Sequence, residues 1–165
     1  MSRKKIMITL VLLLLLTICS IYLIKFKNSN LTVIKTFLKQ YYTVDEIMAS
    51  EMYINEEFIL QKKVQYKNLI EASYIDTFVN SRLMFRNLQY AEDNNCTLSI
   101  DKIKIELLDK LSNKTVSYKF NATIIAVYEN TTSKAQISGK IQVISIGGKS
   151  YINYLDIPNI YTIFK

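Results

Sequence analysis

The sequence predicts an α+β protein with an N-terminal transmembrane helix, followed by three or four helices packed on a curved, four-stranded antiparallel meander. Three observations predict this class. An uncharged apolar run lies near the start, the next part of the chain has apolar residues at helical spacing, and the second half alternates apolar with polar residues. Helices followed by strands, rather than interleaved with them, are typical of an α+β architecture.

The apolar run extends from Ile6 to Ile24. At ~1.5 Å per residue, a helix of this length reaches roughly 28 Å, close to the hydrocarbon thickness of a bilayer. Cations are more numerous before the run than after it, with Arg3, Lys4 and Lys5 on one side and Lys25 and Lys27 on the other. This asymmetry predicts an inside amino terminus. We therefore predict a single-pass protein of the cell membrane, with a cytoplasmic stub and anchor over residues 1–29 and an extracytoplasmic domain over residues 30–165.

Two other fates of the apolar run stay open, a cleaved signal peptide and a lipoprotein signal. A cleaved signal has a shorter apolar core and small residues before the cut, and this run has neither. A lipobox needs a small residue directly before its cysteine, whereas Ile18 precedes Cys19. A retained anchor is therefore the prediction, with cleavage or lipidation of Cys19 as the alternatives.

The first helix of the domain is predicted after Ser29 and Asn30, which are favoured N-cap residues. Its apolar stripe comprises Val33, Ile34, Phe37, Leu38 and Tyr41 or Tyr42. The segment from Thr43 to Glu46 matches the Ser/Thr-x-x-Glu capping box, which predicts the start of a short second helix.

A third helix is predicted from about Asn55, because the two glutamates that follow suit the positive end of a helix dipole. Its predicted apolar residues are Phe58, Ile59, Leu60, Val64 and Leu69. Ser73 and Asp76 predict the cap of a fourth helix that fades between Arg86 and Asn95. The apolar residues of this helix are Tyr74, Ile75, Phe78, Val79 and Leu83.

The second half has a period of two, which marks half-buried antiparallel strands with one wet face. From Val116 to Tyr128 the even-numbered residues are apolar or aromatic, and most odd-numbered residues are polar. The same alternation predicts strands around Ile103 to Leu107 and from Ala135 to Val143. A last strand is predicted from Tyr151 to Ile157, after a hairpin turn at Gly147-Gly148. Four strands joined in sequence order form a meander.

The composition argues against catalysis and against nucleic-acid binding. The sequence has no histidine, which excludes imidazole metal ligands and His-dependent nucleophile pairs. Cys96 stands alone in the body, and the carboxylates show no recognisable catalytic spacing. The basic pairs Lys62-Lys63 and Arg82/Arg86 are too sparse for a nucleic-acid stripe. We predict no enzyme, no catalytic, cofactor-binding or metal-binding residues, no cofactor and no nucleic-acid partner.

The element order resembles the nuclear transport factor 2-like (cystatin-like α+β) superfamily. The residues that carry the resemblance are "TVIKTFLKQYYTVDE" in the first helix and "GKIQVISIGGKSYINYLDIP" near the end, and it covers about residues 30–160. It implies a helical layer inside a cone formed by a bent sheet. An anchor joined directly to one such domain is similar in layout to the VirB-eight-like scaffold subunits of bacterial type IV secretion and conjugation machines.

The leading hypothesis is a membrane-anchored, non-catalytic extracytoplasmic interaction or scaffold domain. The resemblance in layout implies a place in a bacterial conjugation or secretion apparatus, with protein partners or a homo-oligomer. The alternative is a small-ligand-binding or isomerase-like cone at the cell surface. That alternative requires a deep, mostly apolar pocket with a few convergent polar groups.

Some residues suit either hypothesis. The superfamily's enzymes use acid–base residues inside the cone, and the acids nearest the apolar helix faces here are Asp45, Glu71 and Asp76. Asp45 and Asp76 also lie in capping boxes, which is the structural interpretation. The strand tyrosines are candidate cavity-lining donors or plain core residues, namely Tyr118, Tyr128, Tyr151 and Tyr154. The predicted wet face of the sheet suits solvent or a protein contact, and its residues are Ser117, Lys119, Asn121, Thr123, Gln136, Ser138, Lys140 and Gln142.

Overall fold

The computed structural model describes residues 13–15, 17, 29–45 and 56–164. Residues 13–15 and 17 are helical and exposed. Among the described residues, no helix is long and apolar enough to cross a membrane. Most of the predicted anchor and the short helix predicted after Thr43 lie outside the described residues, and both stay predictions.

Within the described ranges 29–45 and 56–164, four helices precede the sheet and one short helix follows it. Residues 29–42 are helical and are called α1. The others are α2 (Glu56–Tyr66), α3 (Ala72–Asn80), α4 (Arg86–Asp93) and, after the sheet, α5 (Ile160–Ile163). A 3-10 turn over Leu83–Phe85 lies between α3 and α4. The α+β order predicted from the two periodicities is therefore confirmed.

Four antiparallel strands form one open sheet in the order β1-β2-β3-β4, so the predicted meander is confirmed. The strands are β1 (Cys96–Lys110), β2 (Thr115–Tyr128), β3 (Thr132–Ile146) and β4 (Lys149–Asp156). Two register shifts interrupt the β1–β2 pairing and one interrupts the β3–β4 pairing. Irregularities of this kind bend a strand and increase its twist. The first strand begins earlier than predicted, because the alternation already starts at Cys96.

The helices cover one face of the sheet, and the core lies between them. In β2, Phe120 and Ile124 are fully buried, whereas the intervening Lys119 is exposed. On the helical side, the ring of Phe37 lies 5.9 Å from that of Phe78, and Tyr66 lies 5.3 Å from Phe78. The predicted apolar stripe of α1 is buried at Ile34, Phe37, Leu38, Tyr41 and Tyr42. Apolar burial of this extent is the main stabilising contribution to such a domain.

Irregular backbone covers parts of both sheet edges. The amide of Glu71 donates to the carbonyl of Ile152 at 2.8 Å, and the Ile152 amide donates to Leu69 at 2.7 Å. At the other edge, Val44 and Leu98 exchange two backbone hydrogen bonds of 3.0 and 2.8 Å. Unpaired strand edges are prone to aberrant pairing, so these short segments protect the ends of β1 and β4. Neither contact follows from periodicity.

The hairpin turn predicted at Gly147-Gly148 is confirmed between β3 and β4. Gly147 and Gly148 have φ angles of 58° and 77°, as a two-residue type I′ turn requires. Beyond β4, the short α5 was not predicted. Its first turn is capped by Asn159, whose side-chain oxygen accepts a 3.2 Å hydrogen bond from the Tyr161 amide.

Several helix predictions are corrected by the structure. Ser73 lies inside α3, and Glu71 takes the N-cap position, without a side-chain cap hydrogen bond. The predicted continuous helix through Leu83 is wrong, because α3 ends at Asn80 and Arg82 adopts a φ of 57° before α4 begins. In α2, Leu60 and Val64 are exposed rather than part of the apolar stripe.

Candidate functional site

A buried polar cluster joins α1 to the sheet. The side-chain amide of Asn30 donates to the Tyr118 hydroxyl at 2.9 Å. The Asn30 side-chain oxygen accepts from the Ser150 hydroxyl at 2.6 Å, and the Ser29 and Ser150 hydroxyls lie 2.9 Å apart. Asn30, Tyr118 and Ser150 are all buried. The cluster therefore ties the first turn of α1 to β2 and to β4 at once.

This cluster fixes how α1 packs against the sheet. Buried polar groups that lose a partner are costly, so a satisfied network specifies one arrangement. The predicted N-cap role of Ser29 and Asn30 is wrong, since both are helical. Small polar residues before an apolar stripe suit a cap and a buried contact equally well, and the sequence offers no signal that separates the two.

The three candidate acids do not meet at a common site. The Asp76 carboxylate pairs with the Lys63 ammonium at 2.8 Å. Glu71 accepts a 2.6 Å hydrogen bond from the Ser73 hydroxyl. Burial lowers the pKa of the Lys62 ammonium, and the nearby Asp45 carboxylate opposes that shift. Each acid thus has its own local interaction, and the arrangement lacks the paired carboxylates that acid–base catalysis uses.

The four candidate cavity tyrosines also point to different places. Tyr118 bonds to Asn30, and the Tyr128 hydroxyl lies 2.8 Å from that of Tyr90. Tyr151 is half-buried and Tyr154 is exposed, so neither is a fully buried core residue. Fully buried aromatic and aliphatic side chains occupy the space between helices and sheet, among them Phe37, Phe78, Phe120, Ile124, Ile141 and Ile152.

Three further tyrosines lie in the helical core. Burial raises the pKa of Tyr41, Tyr42 and Tyr66 above the ordinary value, so their hydroxyls stay protonated at neutral pH. A cavity of about 10 Å³ lies beside Tyr41 and Tyr66. It is of the size of one water molecule and is too small for an organic substrate. Burial also raises the pKa of the lone Cys96 thiol, which makes that thiol a poor nucleophile.

The outer face of the sheet is largely polar and exposed, as predicted. Lys119, Gln136, Ser138 and Lys140 are exposed, and Asn121 and Gln142 are half-buried. Ser117 and Thr123 are buried, which corrects the prediction for these two. Gln136 donates from its side-chain amide to the Thr123 hydroxyl at 2.9 Å and so helps to cover it.

The strand register places four charged residues in one row across this face. Glu106 of β1 is opposite Lys119, Lys119 is opposite Lys140, and Lys140 is opposite Asp156 of β4. An acid thus stands at each edge of the sheet and two cations stand side by side in the middle. Like charges directly opposite one another are unfavourable in an isolated sheet. Each lysine of the charge row thus faces an acid on one side and the other lysine on its other side, and the four formal charges cancel.

The fold and this surface define an open, four-stranded antiparallel sheet with helices on one face and a polar, exposed face on the other. No protein-family model matches the sequence, and no curated protein matches it. Among solved structures, the chain is similar to a periplasmic fragment of TraM, with a TM-score of 0.54 and 9% identity. The match covers 81% of this chain and 97% of the fragment. At that identity the likeness concerns the fold.

Proposed function

We propose that the chain is a membrane-anchored, non-catalytic scaffold domain that works outside the cytoplasm and binds protein partners or further copies of itself. The observation that carries the proposal is the exposed outer face of the sheet, with its charge row of Glu106, Lys119, Lys140 and Asp156. The opposite face of the sheet packs against the helices, so the outer face is the broad exposed surface on which a partner could bind.

Several observations support the placement outside the cytoplasm. The apolar run and the cations before it favour an anchor with an inside amino terminus. The structure with a similar fold is a periplasmic fragment. The helical layer on a four-stranded antiparallel sheet suits the nuclear transport factor 2-like superfamily. An anchor followed by one such domain is the layout of the VirB-eight-like scaffolds, so we place the chain in a conjugation or secretion apparatus.

The ligand-binding or isomerase-like alternative receives less support from the described residues. It needs a deep apolar pocket, whereas Phe37, Phe78 and Phe120 are fully buried between helices and sheet. It also needs an acid–base group near that pocket. The core tyrosines have pKa values raised by burial, and each of the three candidate acids interacts with a different residue.

Site-specific photo-crosslinking of the full-length chain in its native membrane tests the proposal. A benzoylphenylalanine at Ser138 probes the outer face beside the charge row, and one at Asp76 is the matched control on an exposed helical surface. We expect a discrete adduct, either a dimer or one defined heteromeric species, at Ser138 only. Reversal of both central charges (Lys119→Glu with Lys140→Glu) should abolish this adduct. A chain that stays monomeric and partnerless at both positions would overturn the proposal.

A further inference from the structure

The β1–β2 turn, the β3–β4 hairpin and the start of α1 lie at the same end of the domain, here called the hairpin end. The Ser145 amide donates to the Lys114 carbonyl at 2.8 Å, which joins the two turns. The hydroxyls of Ser29 and Ser150 lie 2.9 Å apart, which places the start of α1 beside the hairpin. The chain therefore enters the domain at this end.

Large aliphatic side chains are exposed at the hairpin end. Leu107, Leu108, Leu111 and Ile146 are exposed by 55%, 50%, 50% and 47%. Single exposed aliphatic residues are ordinary on a soluble surface. All four lie in, or within four residues of, the two adjoining turns and are together called the patch. Exposed aliphatic residues gathered at one end of a domain mark contacts with a partner or a membrane.

Lysines surround the same patch. An open groove of about 780 Å³ lies between the two turns, and Lys110, Lys114 and Gly148 are among the residues that line it. Lys149 follows directly in the hairpin. The acid next to these lysines, Asp109, accepts a 2.7 Å hydrogen bond from the Lys110 amide. Asp109 remains an exposed carboxylate, and the three lysines outnumber it.

Exposed leucines beside lysines match the chemistry of a bilayer surface. Leucine side chains enter the boundary between headgroups and acyl chains, and each lysine lays its stem along apolar surface while its ammonium meets a lipid phosphate. Anionic headgroups attract such lysines electrostatically. A protein partner would not require exposed leucines and lysines to lie together at the hairpin end, where α1 begins.

The bilayer is also within reach of this end. The segment between Ile24 and Ser29 spans at most roughly 18 Å even when fully extended. We propose that the hairpin end rests on the outer surface of the membrane, with Leu107, Leu108, Leu111 and Ile146 in the headgroup region and Lys110, Lys114 and Lys149 on anionic lipid phosphates. This inference rests on the proposed anchor. It adds an orientation, in which the sheet stands on the bilayer and presents its outer face sideways to partners.

Tryptophan fluorescence provides a direct test, because the chain contains no tryptophan. The Leu111→Trp variant places a unique probe in the patch, and Ile146→Trp is a second probe of the same patch. Val127→Trp is the matched control, since Val127 is a 45% exposed aliphatic residue near the opposite end of β2. The full-length variants are reconstituted into mixed phosphatidylcholine–phosphatidylglycerol vesicles with and without brominated acyl chains, which quench nearby indole rings.

We expect brominated lipid to quench the Leu111→Trp and Ile146→Trp variants at least roughly twofold more than the Val127→Trp variant. Removal of phosphatidylglycerol should reduce that difference, and so should the Lys110→Gln, Lys114→Gln and Lys149→Gln substitutions together. Equal quenching at both ends overturns the proposal, and quenching that is unchanged in pure phosphatidylcholine overturns the role of the lysines.

Flotation in alkaline carbonate separates failure of this inference from failure of the proposed function. A chain that leaves the vesicles in carbonate has no retained anchor, and both proposals are then wrong. A chain that floats with the vesicles but shows equal quenching at both ends keeps its anchor and overturns only the membrane-resting orientation.

Discussion

The side-chain amide of Asn30 donates a 2.9 Å hydrogen bond to the hydroxyl of Tyr118, across 88 positions of sequence. Both residues are buried, and Ser150 completes the contact from β4. The bond connects the first turn of α1 with the middle of the meander. The contact therefore fixes how α1 lies against β2 and β4.

Removal of the Asn30 side chain should destabilise the domain. In Asn30→Ala the buried Tyr118 hydroxyl loses its hydrogen bond from Asn30, and the Ser150 hydroxyl keeps only its contact with Ser29. We expect the loss to cost about 1–3 kcal/mol of unfolding free energy. Denaturant unfolding of the full-length chain in micelles, followed by circular dichroism, measures it. Ser138→Ala on the exposed outer face is the control and should change the free energy by less than about 0.5 kcal/mol. Equal effects of the two substitutions would show that the buried cluster contributes nothing specific.

Substitution should lower the stability of the domain at Gly139 but leave it nearly unchanged at Gly147. A Cβ at Gly139 would lie 2.5 Å from a ring carbon of Phe120 and 2.6 Å from the Asp156 carbonyl oxygen. Gly139→Ala should therefore cost about 1–3 kcal/mol, since backbone cannot move aside cheaply. Gly147 has a φ of 58° and open space around it, so Gly147→Asn should be nearly neutral. Thermal unfolding of the two variants compares them, and a neutral Gly139→Ala would contradict the close approach of β2, β3 and β4.

Alkaline pH should unfold the domain through its core tyrosines. Burial raises the pKa of Tyr41, Tyr42 and Tyr66 in the folded state, so the folded chain holds these protons more tightly than the unfolded chain. Stability is then unaffected below the ordinary tyrosine pKa of about 10 and falls as the pH rises above it. Phenolate absorbance and circular dichroism, recorded together, measure the transition.

A pair of phenylalanine variants controls this pH experiment. Tyr42→Phe removes a buried ionisable hydroxyl and should move the unfolding midpoint to higher pH. Tyr154→Phe removes an exposed one and should leave the midpoint unchanged. Ionisation of all tyrosines in one step near pH 10, without loss of structure, would show that the three core hydroxyls are open to solvent.

The fate of the amino terminus is a separate prediction. We expect the intact mass of the chain extracted from membranes to include residues 1–29 without an added lipid. Cys19→Ser should leave both the mass pattern and the membrane fraction unchanged. A mature chain that starts beyond the apolar run would establish a cleaved signal, and a lipid-sized mass increase that Cys19→Ser removes would establish a lipoprotein.

Features of the fold that depend on local sequence could be predicted, and features that depend on contacts between distant segments could not. The strand from Val116 to Tyr128 was predicted with its buried face, because a period of two is a property of the chain itself. The Gly147-Gly148 turn was predicted for the same local reason. The break between α3 and α4 could not be predicted. It occurs at Arg82, which has a left-handed backbone conformation, and arginine is not a residue type that signals such a conformation.

The sequence by itself determined the class of the domain, the order of helices before strands and the buried face of β2, because these follow from local periodicity. Only the tertiary structure decided that Asn30 is a buried partner of Tyr118 rather than a helix cap. It also decided that Lys119 and Lys140 stand side by side and that Leu111 and Ile146 share one end. Such relationships depend on strand register and on packing between distant segments. Periodicity predicts which face of a strand or helix a side chain lies on, but it does not predict which residues that side chain contacts.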